Sequence, residues 1–163
     1  MELGGGTATT IGKALTARKE TVSIAESTTG GLIAAQLLAV PGASAYFLGG
    51  SVVYTLASRR AFLDLPANTR DLEPLSEPMA EAFASAARDK LGATWGIAEL
   101  GVAGPSGSRY GHPPGTTVIG VVGPVTKTTT ALTGSDDRTA NMEAFAVAAL
   151  EALNEAIRES ESQ

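Results

Sequence analysis

The 163-residue sequence contains no cysteine and a single histidine, His112. Without thiols the chain makes no disulfide, offers no thiolate nucleophile and builds no cysteine zinc site. One histidine argues against a histidine metal centre and against a Ser-His triad within one chain. Positive charge is scarce too. Lys and Arg total 12 against 17 Asp and Glu, a net charge of −5, which argues against nucleic acid or an anionic membrane as partner through general electrostatics. No uncharged apolar stretch reaches the roughly 20 residues that a bilayer demands. The most apolar span, Gly30 to Val53, is broken by Pro41, Gly42, Gly49 and Gly50. A basic region followed by an apolar one is missing from Met1 to Ile11, so no signal peptide is expected and the cytoplasm is the expected location.

What is present suits a globular protein. Hydrophobic residues make up 44% of the chain, and a single domain usually runs about 100–200 residues, so one sizeable core is expected. Residues 1–6, with Gly4-Gly5-Gly6, read as a flexible lead-in, residues 7–158 as the domain, and 159–163 as a frayed tail. No internal repeat is visible.

Periodicity gives alternating elements. Thr7–Arg18 has helical spacing, Thr21–Ala25 is β-prone, and Thr28–Leu38 reads as a helix stopped by Pro41-Gly42. Tyr46–Tyr54 reads as a strand interrupted by Gly49-Gly50, with Leu56–Leu63 helical after it. Ser76–Leu91 carries its own start and stop signals, Ser76-Glu77-Pro78 and Gly92. Ile97–Val102, Thr116–Val122 and Lys127–Leu132 read as strands, and Asp137–Arg158 as a long closing helix. The order predicts a single-domain α/β fold, a three-layer α/β/α sandwich with a mixed sheet.

Chemistry is expected first at Ala25-Glu26-Ser27-Thr28-Thr29-Gly30-Gly31. A strand feeding a hydroxyl-rich, glycine-containing turn leaves backbone N–H groups free at a helix start, ready for an anion or an oxyanion. Ser27 beside such donors has the setting of an activated nucleophile. The same pattern is ordinary helix capping by Ser27 or Thr28, and the residues alone leave both readings open. A second region, Gly101 to Gly107 continuing through Arg109-Tyr110-Gly111-His112 to Gly115, reads either as a substrate loop after a strand or as a plain surface connection. Arg59-Arg60 and Arg138 could clamp phosphate or carboxylate, or simply be solvated.

Taken in order, these blocks resemble the carboxy-terminal domain of the CinA family, the nicotinamide mononucleotide deamidases. Ala25–Gly31 resembles the family run A-E-S-C-T-G-G. The likeness continues through Pro41–Phe47, Gly49–Tyr54, Leu75–Pro78, Gly101–Gly107, Pro114–Thr116 and Asp137-Arg138, and covers roughly residues 7–158.

The resemblance implies a metal-free, cofactor-free amidohydrolase that converts nicotinamide mononucleotide to nicotinate mononucleotide and ammonia through a Ser–Lys dyad. It carries Ser27 into the nucleophile position and Tyr54 into the following block. The dyad lysine, five residues after that tyrosine, is replaced by Arg59. Thr28, Thr29, Gly30, Gly31, Gly104 and Arg138 are the expected ligand-binding positions, with the N–H groups of Thr28 to Gly31 as oxyanion donors. Other polar family positions are changed as well. Leu56 and Ala57 follow the tyrosine block, Leu100 precedes Gly101, and Met142 takes the place of a second arginine. A lysine can be desolvated until neutral and act as base, whereas a guanidinium stays protonated.

Three readings follow. The chain is an amidohydrolase using a base other than Arg59, a non-catalytic module that binds a nucleotide or other small anion, or a structural homo-oligomer. A homodimer is expected from the resemblance and from the small-residue helices Thr28–Leu38 and Ser76–Leu91.

Overall fold

The β-prone run Val22–Glu26 forms β1, flanked on both sides by parallel strands, Phe47–Val52 (β2) and Trp95–Val102 (β3). Thr116–Val122 (β4) and Lys127–Leu132 (β5) extend the sheet antiparallel, giving the order β2-β1-β3-β4-β5. The structure, a computed structural model, describes residues 1–161. Helices Gly6–Arg18 (α1), Leu32–Leu38 (α2) and Arg138–Glu161 (α5) cover one face, and Glu77–Leu91 (α4) covers the other. A short helix, Leu56–Phe62 (α3), follows β2. This is the expected three-layer mixed α/β fold. Strands β1 and β3 read as continuous buried runs because helices cover both of their faces.

Chain direction places the candidate site. From β1 the chain passes to β2 on one side, then returns through α4 to β3 on the other. The carboxyl ends of β1 and β3 therefore diverge at a topological switch point, where open α/β sheets form their binding crevice. Ser27 stands one residue beyond β1 at this crevice.

Helix α4 begins and ends where its signals predict: Ser76 accepts the Met79 N–H, and Gly92 closes it at φ +65°. Two small residues of this helix, Ala80 and Ala84, face the sheet. Any Cβ at Gly96 of β3 would fall on the Ala84 carbonyl oxygen, and one at Gly120 of β4 would lie 2.5 Å from the Ala80 backbone. Ala80 and Ala84 are fully buried. Ala80 and Ala84 thus serve a close helix–sheet approach.

Several boundaries also differ, among them the start of β3, at Trp95 and not at Ile97. Helix α2 starts at Leu32 and not at Thr28, because residues 27–31 are drawn into a turn by two buried carboxyl groups described below. Strand β2 continues through Gly49-Gly50, with its register to β1 shifted at Leu48 just before them; Gly50 is needed where a Cβ would lie 3.0 Å from Ile24. The tail expected to fray from residue 159 is helical to Glu161, since Lys127 binds Glu159 (2.8 Å) and Arg18 binds Ser160 (2.6 Å). Gln163 and its neighbour lie outside the described residues. Nor is the lead-in free of contacts: Gly4 N–H donates to Gln36 Oε1 (2.9 Å).

The α4 contact yields a test. Replacing Gly96 with Ala should cost about 2–3 kcal/mol, the upper part of the overpacking range, because backbone must move. For a chain of this size that lowers the thermal unfolding midpoint by roughly 4–12 °C. An unchanged midpoint would show that α4 sits further from the sheet.

Candidate functional site

Glu26 ends β1 and Glu99 lies opposite it in register on β3. Both are buried, at 1% and 0% exposure. A buried carboxylate needs donors, and the next turn supplies them. Glu99 Oε2 accepts the N–H groups of Ser27 (3.1 Å) and Thr29 (3.0 Å), and its Oε1 accepts the Thr28 hydroxyl. Glu26 accepts the N–H groups of Gly31 (2.9 Å), Ile33 (3.1 Å) and Ala34 (3.0 Å). Gly101 makes room, because a Cβ there would come 2.7 Å from Thr28 Oγ1 and 3.0 Å from Glu99 Oε1.

Between the two acids stands Thr29, its hydroxyl 2.6 Å from Glu26 Oε1 and 2.9 Å from Glu99 Oε2. One hydroxyl proton cannot serve both. The hydroxyl is within donating distance of both acids and gives its proton to one of them at a time. Burial pushes the Glu99 carboxyl above its usual range, against the opposing pull of its bonds from Thr28, Thr29 and Ser27.

This network engages three of the four N–H groups expected as oxyanion donors. Of the four N–H groups from Thr28 to Gly31, Thr29 serves Glu99, Gly30 serves the Ser27 carbonyl (3.2 Å) and Gly31 serves Glu26. Thr28 N–H alone has no acceptor among the described residues. The physical reason is priority: permanent internal acids take the donors that a ligand would otherwise use. Ser27 itself is 5% exposed, and its hydroxyl makes no hydrogen bond to a described residue.

Two adjoining cavities open beside the turn. The smaller, about 400 Å³, is lined by Thr28, Tyr54, Arg138 and the loop from Gly101 to Tyr110. The larger, about 990 Å³, is lined by Tyr54, Arg59, Arg60, Arg70, Arg109 and Tyr110 over an apolar floor from α3 and α4. The structure brings Tyr54 to both, Arg59 to the larger and Arg138 to the smaller. Ser27 lines neither, so the four residues expected around one pocket are divided.

Each cation is fixed by its own element. The Arg59 Nε donates to the Val53 carbonyl (3.2 Å), and its guanidinium lies 5.0 Å over the Phe83 ring of α4. Burial lowers its pKa from the ordinary guanidinium range while Tyr110 works in the opposite direction; a guanidinium nevertheless stays charged in proteins. Arg138 donates to the Gly104 carbonyl (2.5 Å) and reaches the Tyr54 hydroxyl at 3.4 Å. Asn141, fully buried one turn further along α5, donates to the carbonyls of Ala103 and Ser135 (both 2.9 Å) and so ties the loop after β3 to the helix.

Several participants were not singled out from sequence. Glu99 is an acid inside the otherwise apolar run Ile97–Gly101, and a buried acid of that kind is itself a signal. Phe83 is read as plain core until Arg59 is seen above it. No cluster of three or more His, Asp or Glu residues able to hold a metal occurs among the described residues. The Glu26 and Glu99 oxygens are already occupied by protein donors.

Residues 6–157 match the family model of the CinA C-terminal domain. A CinA-like protein of Acaryochloris marina is 43% identical over 117 residues, covering 70% of this chain and 27% of the relative. Another from Anaeromyxobacter dehalogenans is 41% identical over 145 residues, 88% of this chain and 36% of the relative. The chain thus spans about a quarter to a third of the length of these curated relatives. Among solved structures, a competence or damage-inducible protein from Enterobacter asburiae superposes with TM-score 0.87 at 26% identity, covering 96% of this chain and 99% of that one. A CinA superfamily protein from Klebsiella pneumoniae gives 0.86 at 28% identity, covering 94% and 96%.

The carboxyl pair generates a pH test. With its folded-state pKa above the unfolded value of about 4.3, Glu99 holds a proton that the unfolded chain has released. That contribution to stability is full below the unfolded value and is lost as pH rises through the folded one. Glu99→Gln keeps the shape without the titration. Thermal midpoints taken upward from about pH 4.5 should fall for the wild type relative to the variant. Parallel profiles would show that Glu99 is ionised throughout.

Proposed function

The chain belongs to the CinA C-terminal domain family, and from that premise we propose that it is a nucleotide- or anion-binding relative of the nicotinamide mononucleotide amidohydrolases with little or no turnover of its own. Ser27 keeps the nucleophile position at the crevice, but the base is missing. The single observation that carries this reading is Arg59, seated where the dyad lysine is expected and held by Val53 and Phe83 as a permanent cation. The idle Ser27 hydroxyl and the occupied turn N–H groups support it. No lysine substitutes. Lys90 pairs with Asp64 (2.8 Å) and Lys127 with Glu155 and Glu159 (3.4 and 2.8 Å), and neither lysine lines the cavities beside the turn. Lys13 and Lys19 lie in and just after α1.

In this reading Arg59 and Arg138 supply charge-assisted hydrogen bonds to phosphate or carboxylate oxygens in place of proton transfer. Partners are small anions, with no role for a metal or cofactor.

Ammonia release from nicotinamide mononucleotide tests it. General-base help is worth about 10²–10⁴-fold, so turnover should be absent or lower by that order than in a Ser–Lys relative, and Ser27→Ala should change nothing measurable. Arg59→Lys alone should not restore the rate, because Leu56, Ala57 and Leu100 also replace polar positions. Strong turnover that vanishes in Ser27→Ala would overturn the proposal.

A further inference from the structure

Residues 27–58 contain no Asp, Glu, Lys, Arg or His, in a chain of which 18% is charged. The fold gathers this segment at one end of the sheet, as the turn after β1, then α2, β2 and the start of α3. Strand β2 is the terminal strand there and is hydrogen-bonded on one side only, to β1. The Val53 N–H donates inward to the Glu26 carbonyl (2.8 Å), so by strand alternation the N–H and C=O groups of Val52 and Gly50 point outward. Leu48, Gly50 and Val52 are the exposed positions of the strand, with Leu48 at 45% and Val52 at 43%.

An open strand edge is a template for pairing with another strand, and proteins usually blunt it with charge, proline or a bulge. The opposite edge of the sheet, β5, is guarded in this way. It starts at Lys127, which pairs with Glu155 and Glu159, and its Thr128 and Thr130 hydroxyls both donate to Glu77 (2.8 Å each). Strand β2 has neither charge nor proline. Its bulge lies near the start, at Leu48, and Gly49 to Val52 keep regular register with β1.

A charge-free edge has particular value in a chain of net charge −5, since two copies repel one another wherever their acidic surfaces meet. At β2 they meet without that repulsion. The edge is also complementary to itself. Antiparallel pairing about a two-fold axis at Gly50 sets Gly50 against Gly50 of the partner subunit, and Leu48 against Val52 of the partner subunit on either side of the axis. The two half-exposed aliphatic side chains thereby cover each other as a cross-strand pair, and the outward groups of Gly50 and Val52 gain partners. A two-fold contact of this kind closes on itself.

We propose that the outer edge of β2 is an interface for a second copy of this chain, paired antiparallel about Gly50 so that two five-stranded sheets become one continuous sheet. The carboxyl ends of the two β2 strands then point in opposite directions, and each crevice stays with its own subunit. The interface is independent of the anion-binding reading above.

Sedimentation equilibrium of the full chain at tens of micromolar should give twice the 16.5 kDa of one chain. Leu48→Lys and Val52→Glu, each alone, set a charge against an aliphatic side chain of the partner subunit and should weaken the dimer at least tenfold. Net charge alone would strengthen association in Leu48→Lys, which makes the chain less negative. Combining the two substitutions places opposite charges face to face at both cross-strand positions and should restore the dimer. The swapped pair, Leu48→Glu with Val52→Lys, is a second arm with the same expected pattern. A monomeric wild type would overturn the proposal. So would a dimer that the single charges leave intact, or one that neither charge pair restores.

Discussion

Two carboxyl groups facing each other inside the sheet set the terms for everything around the crevice. An acid buried without partners costs several kcal/mol, so Glu26 and Glu99 dictate where nearby donors must point. They draw in five backbone N–H groups and two hydroxyls from residues 27–34. The turn is tight because the acids are close, and α2 begins late because its first N–H groups face backward onto Glu26. Thr29 joins the two acids into one hydrogen-bonded unit across the β1–β3 junction. A segment that looks like an open anion cradle is thus already filled by the protein's own side chains.

Under the proposed reading, ligand recognition is shifted away from the backbone of the turn and onto side chains. The neighbouring cavities contain what the turn no longer offers: guanidinium groups held in place by a carbonyl, an aromatic ring or a loop. Negative charge is sequestered within the fold and positive charge is left facing the opening. That separation suits binding more than proton transfer, since a guanidinium offers donors and no basic lone pair.

Local signals carried most of the architecture. Strands β4 and β5 lie where alternation and turn residues place them, and α4 is bounded by Ser76 and Gly92 through capping chemistry that acts within four residues. Long-range relations were less legible. The start of α2 depends on Glu99, some seventy residues distant in the chain. Ala80 and Ala84 have a meaning only opposite Gly96 and Gly120 of other strands. The site showed the same division. Ser27, Tyr54, Arg59 and Arg138 could be named from their blocks, but their distribution over two cavities follows from how α3, α5 and the loop after β3 meet.

The near-contact of α4 with the sheet has a consequence for how the cavity can evolve or adapt. With its alanines resting on glycines, α4 has no slack in which to slide, so the part of the floor carried by Met79 and Phe83 behaves as a fixed datum. The opposite wall is built differently: α3 has no buried residue, and Arg109 and Tyr110 stand on an exposed loop. Accommodation of ligands of different size therefore falls to one wall alone. The cavity has the build of a vice with one anchored jaw, in which sequence drift at α3 and the loop reshapes the opening while the depth of the seat is preserved.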